Sequence, residues 1–98
     1  MQVIVLPLAE VDLEEILDRI EVDLDLESGL RYVRRIRALV EQLATTPYRG
    51  TPWRDDYPTI RTMPSHDRRY TIYFEVDEQT KCVLVRRILG GGIVRDGG

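Results

Sequence analysis

The side chains able to do chemistry in this chain are mostly guanidinium groups. Arg61, Arg68, Arg69, Arg86, Arg87 and Arg95 all fall in the second half of the sequence. Four of them flank two runs rich in aromatic and β-branched residues, RRYTIYFEV (68–76) and CVLVRRIL (82–89). A guanidinium offers forked N–H donors that match carboxylates and phosphates, so the set suits gripping another macromolecule, and Tyr73 adds an aromatic face among them. A proton-transfer pair is not visible. The one histidine, His66, sits in the polar turn PSHD (64–67) and reads as solvated. The one cysteine, Cys82, falls inside an apolar strand and reads as a buried, inert thiol. There is no His/Cys set at zinc spacing, no glycine-rich phosphate loop between strand and helix, and no Ser-His-Asp set. Neither metal nor cofactor is expected.

The elements that position these arginines follow from periodicity. The two runs are separated by DEQTK (77–81), which reads as a β-hairpin with a longer loop. Alternation places Tyr70, Ile72, Phe74 and Val76 on one side and Thr71, Tyr73 and Glu75 on the other. Arg68 and Arg69 then lead into the hairpin at the end where Arg86 and Arg87 leave it, which predicts a cationic sheet end. Upstream, Val3–Leu6 is a β-branched run stopped by Pro7, suiting a buried first strand. Leu13, Ile16, Leu17 and Ile20 recur at helical spacing and predict a helix over 9–22, with Asp12 and its acidic neighbours on the remaining faces. A second helix is expected over 26–44, N-capped by Asp25, with Val33, Ile36, Val40 and Leu43 as its stripe. The short turn between them makes an antiparallel helical hairpin, in which Arg34, Arg35 and Arg37 are expected to pair with the acids of helix one.

Residues 48–58 (YRGTPWRDDYP) read as mostly irregular chain, extended around Trp53, whose indole is expected to cover a sheet edge. Thr59–Met63 is a further short strand carrying Arg61. After Leu89 the string GGGIVRDGG predicts a flexible tail from about residue 90. The whole is one α+β domain spanning 1–98: a helical hairpin packed on an antiparallel-rich sheet, in the order β-α-α-β-β-β.

Composition bounds the class. The chain has 98 residues, 43% hydrophobic and 32% charged, which fits a single folded domain rather than disorder. No apolar run is long enough to span a bilayer and no secretory leader is visible, so a cytoplasmic location is expected. The net charge of −3 conceals a dipole. Residues 1–28 hold nine acids against one arginine, and residues 29–98 hold thirteen bases against eight acids. Whole-molecule steering toward nucleic acid is therefore weak, and direct nucleic-acid binding is expected to be weak or absent.

Several strings, in order, resemble the RelE/ParE toxin superfamily. They are Ala9 with Asp12, Leu13 and Ile16; the 43–50 run with Pro47 and Gly50; Ile60-Arg61; Arg69-Tyr70-Thr71-Ile72-Tyr73-Phe74; and Val85-Arg86-Arg87-Ile88-Leu89 followed by glycine. The resemblance covers nearly the whole chain and is closest to the ParE branch, toxins of type II toxin–antitoxin modules. It implies a ParD-like antitoxin partner in a 2:2 or larger complex. It also implies one of two activities: inhibition of DNA gyrase by binding, as in ParE-like members, or ribosome-dependent cleavage of mRNA, as in RelE-like members. A third possibility is a degenerate module that only engages antitoxin. Where RelE-type nucleases carry an arginine after the aromatic of the third sheet strand, this chain has Thr71. Where they carry a basic cluster after the last strand, it has Gly90, Gly91 and Gly92. The ParE branch commonly closes with an Arg-Ile-Leu-His-Gly-Ala-Arg-Asp-like string. Here Gly90 stands for the histidine, and two additional residues precede Arg95-Asp96. The resemblance therefore favours gyrase over the ribosome, with Arg61, Arg68, Arg69, Tyr73, Arg86, Arg87 and Arg95 as the surface for target or antitoxin.

Overall fold

The order of elements is set by where short apolar runs give way to helical periodicity. The computed structural model describes residues 1–90. Strand β1 (Gln2–Val5) is followed by helices α1 (Pro7–Asp23) and α2 (Leu26–Glu41), a 3-10 turn over Gln42–Ala44, and strands β2 (Thr51–Arg54), β3 (Tyr57–Pro64), β4 (Tyr70–Asp77) and β5 (Cys82–Gly90). Pro7 begins α1, where its missing N–H takes nothing from the helix. Asp25 caps α2 by accepting the Ser28 N–H at 2.7 Å. The five strands form one mixed sheet in the order β1-β5-β4-β3-β2, with β1 parallel to β5 and every other pairing antiparallel.

The α+β class and the helical hairpin agree with the sequence reading. The difference is β2, which the turn-rich composition of 48–58 concealed. Gly50 takes φ +81°, turning the chain so that Thr51 pairs with Thr62 and Pro52 with Arg61. Pro52 is tolerated because β2 is an edge strand.

Both helices lie on one face of the sheet. Ala9, Leu13 and Ile16 of α1 and Ile36 and Val40 of α2 join Leu43, Met63, Ile72, Phe74, Val83, Val85 and Ile88 in a single core. Gly29 lets the helices close up, since a Cβ there would meet Leu17 Cδ1 at 2.7 Å. The expected charge pairing between the helices is mostly absent. Only Arg37 reaches α1, on Glu10 at 2.7 Å, and neither Arg34 nor Arg35 pairs with an α1 acid among the described residues. Cys82 is buried, as read from the sequence. Among the described residues no helix is long and apolar enough to cross a membrane.

A β-carbon at Gly50 would collide with the Thr62 carbonyl oxygen in a backbone conformation that favours glycine. Gly50→Ala is therefore expected to lower the unfolding free energy by about 1–3 kcal/mol. Urea denaturation checks this, and an unshifted midpoint contradicts it.

Candidate functional site

The site begins with a gap in the sheet. Strand β1 ends at Val5, opposite Val85, and the Leu6 N–H closes the ladder on the Val85 carbonyl at 2.9 Å. Beyond that point β5 has no neighbouring strand on this side, and α1 runs past it instead. The Asp12 carboxylate fills the gap: Oδ2 accepts the Ile88 backbone N–H at 2.8 Å. The same group takes the Arg87 fork, Nε to Oδ2 at 2.9 Å and Nη2 to Oδ1 at 3.0 Å. Asp12 is only 5% exposed, whereas the Arg87 side chain is 42% exposed. The hydrogen bond to Asp12 holds the Arg87 guanidinium above its ordinary pKa.

The β4–β5 pairing is bulged at this level. Tyr73 opposes Arg87 and Phe74 opposes Val85, which leaves Arg86 as the extra residue. Arg86 turns to Glu75, Nη1 to Oε1 at 2.9 Å, while the other Glu75 oxygen accepts from Thr59 at 2.8 Å. These groups border a groove of about 490 Å³ lined by Trp53, Tyr57, Ile60, Tyr73, Arg86 and Leu89, among others. Tyr73 and Arg87 oppose each other across β4 and β5 and so share a face, out of phase with the core residue Phe74. The groove thus belongs to the sheet face away from the helices. Its wall is aromatic. Trp53 meets Tyr73 edge-on at 5.3 Å and Tyr57 at 5.1 Å, and Arg54 lies over the Trp53 ring at 5.4 Å. Trp53, standing on the edge strand itself, covers Tyr73 of the central strand β4 rather than a sheet edge, and leaves part of its indole open.

The remaining candidate residues do not join this groove, so the expectation of one cationic sheet end is corrected. Arg61 pairs with Phe74 and lies in the opposite phase to Arg87. Its guanidinium holds the 48–50 loop through the carbonyls of Tyr48 (2.8 Å), Gly50 (3.1 Å) and Arg49 (3.2 Å). Arg68, at φ 65°, and Arg69 sit in the turn before β4. Arg69 lies 3.6 Å from Asp67, far out in solvent. Arg95 lies outside the described residues, as do Gly91, Gly92 and the rest of the expected flexible tail. Strand alternation and the bulge thus divide the arginines: Arg86 and Arg87 with Tyr73 in the groove, Arg61 on the loop, Arg68 and Arg69 at the turn.

That turn is tied to α2. Asp67 accepts from Tyr32 (2.7 and 2.9 Å), from Ser65 (3.0 Å) and from the Arg69 N–H (3.1 Å). Burial pushes the Asp67 carboxyl up, but the bonds from Tyr32, Arg69 N–H and Ser65 outweigh it and hold the group below the ordinary carboxylate value. Burial, then the bond to Asp67, pushes the Tyr32 phenol up. His66 rests against Tyr32 at 5.0 Å between ring centroids, away from the groove. Among the described residues no three His, Cys, Asp or Glu side chains gather to hold a metal ion.

Sequence reasoning gave no site role to Asp12, Tyr57 or Glu75, and it read Trp53 as a sheet-edge cover in preference to a binding platform. For Asp12 a signal was present, since Ala9, Asp12 and Ile16 share one helical stripe at spacings of three and four.

The chain matches the family model described as ParE toxin of type II toxin-antitoxin system, parDE, over residues 3–94. No curated protein matches. Among solved structures it is similar to the chromosomal ParDE toxin–antitoxin system from P. aeruginosa, at 25% identity and TM-score 0.80, covering 92% of this chain and 95% of that one. It also resembles the RelBE2 toxin–antitoxin complex from Mycobacterium tuberculosis, at 19% identity and TM-score 0.57, covering 91% and 95%, a likeness of fold.

Removing the Asp12 carboxylate leaves the Ile88 N–H unpaired and the fork lost. Asp12→Ala is expected to lower stability by about 2–4 kcal/mol, measured by urea unfolding; a midpoint unchanged from wild type contradicts the assignment. Asp67 gives a pH signature. Its depressed folded-state pKa contributes stability that is fully present above the unfolded value of about 3.9 and is lost as pH falls through the folded value. Tyr32→Phe should shrink this acid-dependent loss, read from thermal melts across that window. An identical pH profile in the variant contradicts it.

Proposed function

The chain belongs to the ParE toxin family of type II toxin–antitoxin systems, and on that premise we propose that it acts by binding DNA gyrase, that it does not cut RNA, and that a ParD-like antitoxin neutralises it. The observation that carries the reading is the state of the groove cations. Arg87 is committed to Asp12, Arg86 to Glu75, and Glu75 is held from its other side by Thr59. RNA cleavage needs a free proton acceptor and donor together with uncompensated positive charge at phosphorus. Within the described groove the carboxylate of Glu75 and the guanidinium groups of Arg86 and Arg87 already have partners. What the groove offers is a rigid aromatic wall with guanidinium groups at its border, which is the composition of a protein-binding hot spot.

In this reading Trp53, Tyr57 and Arg86 meet the target, Tyr73 backs the indole from beneath, and Arg87 acts from behind by fixing the bulge. Arg61, Arg68 and Arg69, together with Arg95, remain candidates for the antitoxin rather than the groove. Antitoxin carboxylates would find Arg68 and Arg69 ready partners, because Arg68 has no ion pair among the described residues and the link of Arg69 to Asp67 is long and exposed.

The test is a supercoiling assay with purified gyrase and the purified chain. Inhibition is expected. Trp53→Ala and Arg86→Ala should each raise the concentration needed by about thirtyfold, the loss of a hot-spot residue of about 2 kcal/mol. Full supercoiling at excess toxin rejects gyrase as the target. Cuts in translating mRNA mapped by primer extension would favour the ribosome-dependent nuclease instead.

A further inference from the structure

The outer surface of the helical hairpin carries a charge arrangement that the fold itself does not use. The buried stripe of α1 is Ala9, Leu13 and Ile16, so at 100° per residue the opposite ridge is Val11, Glu14, Asp18 and Val22, all exposed. On α2 the buried residues Gly29, Ile36 and Val40 leave Glu27, Arg31, Arg34 and Ala38 outward, with Arg35 beside them. One ridge is acidic and the next is basic. Yet none of Glu14, Asp18, Arg31, Arg34 and Arg35 has an ion pair among the described residues. Three arginines at spacings of three and four repel one another on a helix surface, so the arrangement lowers stability unless something covers it.

We propose that this surface is covered by a second copy of the same chain, packed about a two-fold axis parallel to the helices. The argument is one of level. Counting back from Leu24 and forward from Asp25, the residues flanking the turn, Asp18 and Arg31 both lie six residues away, Glu14 and Arg35 ten, and Val11 and Ala38 thirteen. A two-fold axis along the helices exchanges the ridges and preserves the level. Asp18 then faces the partner's Arg31, Glu14 faces the partner's Arg34 and the partner's Arg35, and each pairing occurs twice. Val11, 44% exposed, meets the partner's Ala38, where a shallow depression of about 450 Å³ opens between the arginines. An isologous contact requires a surface complementary to itself, and adjacent ridges of opposite sign meet that requirement.

Size sets the expected strength. Two helices of about 25 Å, side by side, offer roughly 500 Å² per copy, below the roughly 800 Å² per partner of a standard interface. The pair is therefore a modest, salt-sensitive dimer. The groove on the other face of the sheet stays open in both copies, and the inference does not depend on the identity of the toxin's target.

Sedimentation velocity on the purified full chain without antitoxin tests this. At low salt and high protein concentration the mass should approach twice 11.4 kDa, returning to 11.4 kDa at high salt. Arg31→Asp with Arg34→Glu leaves Arg35 as the one cation among these ridge residues, and Glu14→Arg with Asp18→Arg leaves Glu27 as the one acid. Each double variant alone should be monomeric with an unchanged circular dichroism spectrum. Their equimolar mixture should dimerise at least tenfold more tightly than either alone. A wild type that stays at 11.4 kDa, double variants that still dimerise, or a mixture that remains monomeric overturns the proposal.

Discussion

A single carboxylate fixes how the two layers of this protein meet. Strand β1 is four residues long and β5 is nine, so more than half of β5 runs on without a neighbour on that side. An open N–H in a buried position costs about 1–3 kcal/mol, and a sheet usually solves this with another strand. Here a helix passes instead, and Asp12 supplies the acceptor at 2.8 Å. Its negative charge, almost shut off from water, needs a counterion. Arg87 provides it from the next residue of the same strand. The gap, the acid and the arginine form one unit, and the acid's position on α1 sets the level of the helix against the sheet.

The bulge belongs to the same unit. Strict alternation from Val83 and Val85 would send the Arg87 side chain to the core phase, opposite Ile72. One extra residue, Arg86, shifts the phase so that Ile88 becomes the core residue and Arg87 opposes Tyr73. Arg86 is left facing Glu75 at the border of the groove. The electrostatics of the open face are thus a consequence of how β5 is satisfied at its edge. A guanidinium selected for structure at one residue has placed another beside the aromatic wall.

Periodicity carried most of the fold. The hydrophobic stripes located both helices to within a few residues, Asp25 announced the start of α2, and the 68–89 hairpin stood out by composition. What periodicity could not carry was β2, because Pro52, Gly50 and the charged turn after Arg54 resemble a loop until the edge position of the strand is known. It also could not divide the arginines between faces. Arg61 and Arg87 look alike in a list of cations, and only the register with β4 shows that one opposes Phe74 and the other Tyr73. The charge pairing expected between α1 and α2 holds for Arg37 with Glu10 and fails for Arg34 and Arg35 for a related reason. Gly29 draws the inner faces together, and the outward ridges of the two helices then point away from the core in parallel rather than toward each other.

The distinction between gripping and cutting rests on how a cation's charge is spent. A guanidinium stabilises an extra negative charge at phosphorus to the extent that its own charge is uncompensated. Arg86 and Arg87 each face a carboxylate within 3.0 Å. Drawing either one away toward a phosphate would expose an unpaired acid, and for the nearly buried Asp12 that is costly. The neighbouring positions add no replacement. Thr71 opposes Leu89 and Tyr70 opposes Gly90, so these two rungs carry no cation. Aromatic surface suffers no such competition. Trp53, Tyr57 and Tyr73 already pack on one another, so a partner that buries their remaining faces gains apolar contact without first breaking an ion pair. The open face thus offers apolar contact that costs no ion pair, while its two cations are already engaged by carboxylates.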